Sequence, residues 1–314
     1  MKTVCVYHSI DLDGWMSAGI VKHWFNQQKE NYVNSKVFKE VDVDFGTLDF
    51  ISYNYGQPIP DLSEYDKVIM CDISFPKEIM EVLFTSLREK FTWCDHHISA
   101  INDSKEMYFS SSMGLRDTKF AACELTWKYF FPNEPMPEIV RLLGRYDCFG
   151  HKGTDEEKKV LEFQYGARMV ISNYEEAYDF LTASINYGNS VCESIHVDGA
   201  AIYRYLCTEA KQAYKNGFEI YLYYSNNDPI PKKFICINKE RFNPINFGID
   251  YHKEGYDGAA CFHIDSTGTY CFSLYNDNGE VDCSIIAREY KGGGHKGAAG
   301  FRLTFEQFKQ LTNG

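Results

Sequence analysis

Apolar residues gather into short blocks along this chain, and several blocks end on an acid or a histidine. Residues 2–7 read as a short buried strand, followed by a loop over 8–14. Residues 15–28 carry Met16, Ile20 and Trp24 at helical spacing. A second strand is expected over 36–43, and a third over 66–71, stopping at Asp72. Pro76 opens a helix over 77–89, at a position where proline is tolerated. Residues 91–94 form a fourth strand that ends at Asp95. This alternation predicts an α/β fold with a mostly parallel sheet flanked by helices.

Further helices are expected over 120–131, where Pro132 stops the run, and over 139–145, 175–186 and 192–216. From residue 218 the pattern turns strand-rich, with strands over 218–224, 233–238, 258–264 and 269–275. A helix over 282–290 and a glycine-rich stretch over 291–300 follow. The helix ending near 216 is long and mixed in polarity, which suits a connector. The expected organisation is therefore a domain over 1–190, a connector helix over 191–217 and a smaller α/β domain over 218–314.

The length of 314 residues suits two domains. No run of about 18 apolar residues occurs, so no membrane span is expected. The N-terminal apolar stretch is too short for a signal peptide and lacks a cleavage site, and a cytoplasmic location follows as the default. The 11 cysteines are scattered with no C-x-x-C pair, so they read as small buried hydrophobes. A formal net charge of −12 argues against long duplex nucleic acid as a partner. It leaves room for a small phosphorylated ligand, because cations bound in one cleft reverse the local field.

The block ends carry the chemistry. His8, Asp11 and Asp13 can aim three ligand atoms from one loop at a shared point, with Gly14 easing the turn into the helix. Asp13 could equally cap that helix. Asp72 stands alone after its strand, and Asp95, His96 and His97 follow theirs. Asp147 ends another block, where Arg141 or Arg145 could instead pair with it. Carboxylates and imidazoles gathered at strand ends can hold hard divalent cations.

In this order the motifs resemble those of the DHH phosphoesterase superfamily. His8, Asp11 and Asp13 are similar to its first motif, Asp72 to the second, Asp95-His96-His97 to the namesake third, and Asp147 to the fourth. Gly292-Gly293-Gly294-His295 is similar to the signature of the associated DHHA1 domain. The superfamily includes single-strand exonucleases, nano-RNA and 3′-phosphonucleotide hydrolases, cyclic-dinucleotide phosphodiesterases and family II pyrophosphatases. The resemblance implies two divalent metal ions, usually Mn2+, one held by His8, Asp11 and Asp72, the other by Asp13, Asp72, His96 and Asp147. It implies that Asp95 orients His96, that His97 faces the substrate phosphate, and that Gly292, Gly293, Gly294 and His295 bind substrate from the second domain in a cleft. It further implies hydrolysis of a small nucleotide phosphodiester or phosphomonoester by hydroxide generated at the metal pair.

One departure bears on substrate. Many relatives place an arginine in the strand before the last helix, where this chain reads Phe272-Ser273-Leu274-Tyr275-Asn276. Tyr275 has no guanidinium fork. Arg116 and Arg145 are candidate phosphate clamps, and Arg288 is a weaker one. His23, His151, His196, His252 and His263 read as surface or satisfied core histidines. Two alternatives stand beside the leading reading: hydrolysis of pyrophosphate or short polyphosphate, and a nucleotide-sensing protein without turnover. Partners are expected to be limited to a small phosphorylated nucleotide, with no membrane and with a homodimer allowed.

Overall fold

The computed structural model describes residues 1–35, 46–104, 114–223, 230–240, 242–294 and 296–312. The chain divides into two compact units, Met1–Ile202 and Tyr203–Gly314.

The first unit is built on a four-stranded, wholly parallel sheet. Its strands are β1 (Lys2–His8), β2 (Thr47–Tyr53), β3 (Lys67–Cys71) and β4 (Phe91–Cys94), in the order β2-β1-β3-β4. Its helices are α1 (Leu12–Ser35), α2 (Lys77–Leu87), α3 (Ile98–Asp103), α4 (Ala122–Phe130), α5 (Glu138–Asp147), α6 (Glu157–Val170) and α7 (Tyr174–Tyr187). Helix α8 (Ser190–Lys215) begins in this unit and runs on into the next.

Strands β1, β3 and β4 are buried on both faces, so they read as apolar runs. Period-two alternation sorts the side chains. Val4, Val6, Val68 and Met70 pack with Met80, Leu83 and Phe84 of α2 on one face. Cys5, Tyr7, Ile69 and Cys71 pack with Ala18 and Val21 of α1 and Leu125 of α4 on the other. A third cluster joins α1, α4, α5, α6, α7 and α8 through residues such as Met16, Trp127, Val140, Phe163, Leu181 and Ile195. Helices α6 and α8 touch backbone to backbone: a Cβ at Gly166 would overlap the Ile195 carbonyl, and one at Gly199 the Glu162 carbonyl.

Several expectations need correction. The loop over 8–14 is shorter than expected, because α1 starts at Leu12. Asp11 caps it, its Oδ1 accepting the Gly14 N–H at 2.9 Å. The capping role offered to Asp13 therefore belongs to Asp11. Gly14 is needed for close approach rather than turning, since a Cβ there would overlap the His8 carbonyl. The strand expected over 36–43 lies outside the described residues; the strand beside β1 is β2, whose mixed polarity hides it. Helix α6 also escapes the sequence pattern, because its charged start over 155–159 masks Val160, Leu161 and Phe163 on the buried face.

The second unit carries a six-stranded mixed sheet in the order β5-β6-β7-β8-β10-β9. The strands are β5 (Phe218–Leu222), β6 (Lys232–Asn238), β7 (Gly258–Ile264), β8 (Tyr270–Tyr275), β9 (Gly293–Gly294) and β10 (Ala298–Leu303). Helices α9 (Cys283–Glu289) and α10 (Phe305–Thr312) complete it. β6 and β7 pair in parallel, and the other neighbours are antiparallel. Phe234, Phe262, Phe272, Leu274, Ile286 and Phe301 make its core. Among the described residues no helix is long and apolar enough to cross a membrane.

Candidate metal centre

Three parallel strands deliver their last residues to one place. β1 ends on His8, β3 is followed by Asp72 and β4 by Asp95. In parallel α/β sheets this carboxyl edge is where ligands bind. The first turn of α1 adds Asp13, and the last residue of α5 is Asp147. Asp72 takes a left-handed backbone, with φ 60°, a conformation that costs a non-glycine residue energy and recurs at functional sites.

The donor atoms converge. His8 Nδ1 lies 2.8 Å from Asp11 Oδ2 and 3.3 Å from Asp72 Oδ2. His96 Nε2 lies 3.4 Å from Asp72 Oδ1, 3.2 Å from Asp147 Oδ2 and 3.8 Å from Asp13 Oδ2. Three triads have their ligand atoms within 4.8 Å of one another: His8, Asp11 and Asp72; Asp13, His96 and Asp147; and Asp72, His96 and His97. Asp147, for which Arg141 and Arg145 are the candidate partners in sequence, instead faces His96. Arg141 pairs with Glu138 and Glu156, and Arg145 with the buried Glu124.

Backbone amides hold several of these carboxylates. Asp13 Oδ2 accepts the Ala122 N–H at 2.9 Å and its Oδ1 the Cys123 N–H at 2.7 Å. Ala121, the residue at the cap of α4, has no polar side chain, so Asp13 caps that helix from a distance. Glu124 Oε2 accepts the neighbouring Ala121 N–H at 3.0 Å. Asp95 Oδ1 accepts the His96 N–H at 2.7 Å and the His97 N–H at 3.1 Å, and lies 2.7 Å from His97 Nδ1. Asp95 thus fixes the His97 ring, whereas it reaches His96 through the backbone.

Electrostatics show that the cluster is crowded with acid. Burial, then the charge of Asp72, pushes the Asp13 carboxyl up to about 7. Burial, then the charge of Asp13, does the same to Asp147. Burial and the charge of Asp11 raise Asp72. Burial pulls the His8 imidazole down, but hydrogen bonding to Asp11 and Asp72 overcomes it and carries the group up to about 11. His96 behaves likewise, reaching about 11 against burial through Asp72, Asp147 and Asp13.

The residues fit divalent cations. Asp72 Oδ1 is buried and makes no well-formed hydrogen bond among the described residues. A buried acceptor left in this state calls for an ion or water. Carboxylate oxygens with imidazole nitrogens are also a donor set for such ions.

The other candidates separate from this centre. Arg116 donates to the Trp93 carbonyl at 3.0 Å, so both it and Arg145 serve groups of the chain itself. His151 donates from Nδ1 to the Arg145 carbonyl at 2.8 Å, and His252 Nε2 lies 2.9 Å from Asp277 Oδ1. In the second unit, Gly293 and Gly294 form an edge strand paired with Gly300 and Ala299. A Cβ at Gly292 would overlap the Gly300 carbonyl, and Gly294, at φ 138°, crowds Ala299. A Cβ at Gly293 would meet nothing within 4 Å. His295 lies outside the described residues. One residue that the sequence pattern does not reveal belongs to the centre: Tyr55, whose ring centroid is 6.1 Å from those of both His8 and His97. It carries no signal because the strand that delivers it, β2, carries none.

No protein-family model matches the chain. It is 22% identical over 309 residues to the uncharacterized protein R106 of Acanthamoeba polyphaga mimivirus, covering 96% of this chain and 67% of that one. Its structure is similar to the DHH domain of a member of a ribosomal protein family, with TM-score 0.54 and 14% identity over 99% of this chain and 85% of that one. It is also similar to the pGpG-specific phosphodiesterase PggH of Vibrio cholerae, with TM-score 0.51 and 12% identity over 100% of this chain and 97% of that one. At these identities the likeness establishes the fold, which is of the DHH type that the motifs resemble.

Proposed function

We propose that this protein is a metal-dependent phosphoesterase acting on a small nucleotide phosphodiester or phosphomonoester. The observation that carries the reading is the convergence of His8, Asp11, Asp13, Asp72, His96 and Asp147, drawn from four stretches of chain, at the carboxyl edge of a parallel sheet. His8, Asp11 and Asp72 would hold one divalent ion, and Asp13, His96 and Asp147 with Asp72 the other; Mn2+ is the expected ion. When bound, such ions neutralise phosphoryl oxygens and make water a nucleophile at neutral pH.

The chain's own groups complete the chemistry. Asp95 engages Nδ1 of His97 and sets the orientation of its ring beside the centre. From there His97 can donate to a phosphoryl oxygen or to the leaving oxygen. We assign Gly292, Gly293, Gly294 and His295 to substrate binding; Gly293 is the glycine whose missing side chain packing does not explain. A fold shared with a pGpG-specific phosphodiesterase supports the reaction type.

The test is phosphate and nucleotide release from a panel of dinucleotides, cyclic dinucleotides, 3′,5′-bisphosphates and pyrophosphate, with Mn2+ or EDTA. Turnover of a nucleotide with Mn2+, abolished in Asp72→Asn, is expected. Asp72→Asn should also bind less than half the metal of the wild type by elemental analysis. Full turnover in that variant would remove the shared-ligand model.

A further inference from the structure

The centre just described is polar, yet its rim is not. Ile10, Ile98 and Phe149 are each more than half exposed, and Tyr55 is 50% exposed. Ile10 adjoins Asp11, Ile98 adjoins His97, and Phe149 follows Asp147 by two residues. Two residues of chain reach at most about 7 Å, so these three side chains start close to the site. Scattered exposed apolar residues need no explanation, but four of them within two residues of, or in ring contact with, the candidate ligands do.

Tyr55 is the most informative of them. Tyr55 is half exposed, and its ring lies 6.1 Å, centroid to centroid, from both histidines. The ring stands at 57° to the His8 ring and at 78° to the His97 ring, with all three centroids within 6.4 Å of one another. A substrate whose phosphate lies beside His97 has its next substituent within reach of this ring.

Resting on the phosphoesterase reading, we propose that Tyr55 is a specificity-determining platform on which the substrate stacks the base next to the phosphate under attack. Its ligand is a flat heteroaromatic ring joined to phosphate through a sugar. Inorganic phosphate and pyrophosphate present no such face and gain nothing from it.

The test is calorimetric binding of AMP, CMP and inorganic phosphate to the Mn2+-loaded full chain. Wild type is compared with Tyr55→Phe, Tyr55→Leu and Tyr55→Ala. Base–aromatic stacking predicts a loss of about 10-fold or more in nucleotide affinity for Ala. Leu, which fills the space without a π face, should lose nearly as much, and Phe should stay within about twofold of wild type. Phosphate affinity should not separate the four proteins. With a dinucleotide substrate the Ala and Leu losses should appear in KM rather than kcat. Equal nucleotide affinity in wild type and Ala, or equal losses for nucleotide and phosphate, would overturn the platform while leaving the metal centre standing. Failure of the wild type to bind either ligand with Mn2+ would remove the phosphoesterase reading, and the platform with it.

Discussion

Asp13 has a proposed role and an observed one that one experiment can separate. We propose that its carboxylate holds a metal ion, and it accepts the Ala122 and Cys123 N–H groups at 2.9 and 2.7 Å. Truncation to alanine leaves both amides buried at the start of α4 with no acceptor in the adjoining residue. Each unpaired buried N–H costs about 1–3 kcal/mol, and two sharing one site lose less than the sum, so roughly 2–4 kcal/mol is expected. Repulsion between Asp13 and Asp72 works in the opposite direction. It is switched off at pH 6, below the value of about 7 to which burial and Asp72 push the Asp13 carboxyl. In EDTA at pH 6 the loss is therefore structural. The first unit spans Met1–Ile202, and for a domain of that size each kcal/mol moves the melting midpoint by about 2–4 °C. Asp13→Ala should melt roughly 5–15 °C below wild type in EDTA, and Asp13→Asn, which keeps one acceptor, should lose about half as much. Circular dichroism melts measure both. If Asp13→Ala melts within about 2 °C of wild type without metal, the carboxylate is not the cap of α4 and the reasoning fails.

Two further outcomes follow from the same contacts. The folded-state values of Asp13 and Asp147, both about 7, lie above those of unfolded carboxyls, so the folded chain holds these protons more tightly. That contribution is complete below about pH 4 and lost as pH rises through 7, and the raised His8 and His96 continue the trend toward 11. Metal-free protein should therefore melt lower at pH 8 than at pH 6, and saturating Mn2+ should cancel the difference; a metal-free midpoint that climbs over this range would contradict the assignment. Gly199→Ala should cost about 2 kcal/mol or more, because its Cβ would overlap the Glu162 carbonyl and push α8 from α6. Chemical denaturation reads this directly, and a change under about 0.5 kcal/mol would show that the helices part without strain.

The parallel sheet is legible in the sequence because β1, β3 and β4 are buried on both faces and stop at polar residues. The stops of β3 and β4 mark Asp72 and Asp95, and the end of the apolar block that becomes α5 marks Asp147. β2 is hidden because only Tyr53 of its seven residues is fully buried, so neither a continuous apolar run nor a clean alternation marks it. Tyr55 vanishes with it. Glu124 and Arg145 cannot be paired from spacing, since α4 and α5 meet through tertiary packing around Gly144, where a Cβ would crowd the Glu124 side chain. Local rules do not settle the N-cap of α1 either, because Asp11 and Asp13 both satisfy them and only the amide geometry distinguishes the two.

That geometry also divides the carboxylates by task. Asp11, Asp13 and Asp95 each accept backbone N–H groups, so the folding of α1, α4 and the turn after β4 fixes them in place before any ion arrives. Asp72 and Asp147 have no such amide among the described residues; the groups that approach them are the imidazoles of His8, His96 and His97. A site whose frame is set by backbone bonds loses little freedom on binding, which strengthens affinity without adding contacts. Burial and neighbouring acid push up both carboxylates outside that frame, and Asp72 is held there on a strained backbone. Strain at a buried carboxylate whose Oδ1 has its nearest donor, His96 Nε2, at 3.4 Å is a cost that folding alone does not recover. A cation shared through Asp72 would offset that cost, and this is the physical reason we propose Asp72 for the middle of the centre.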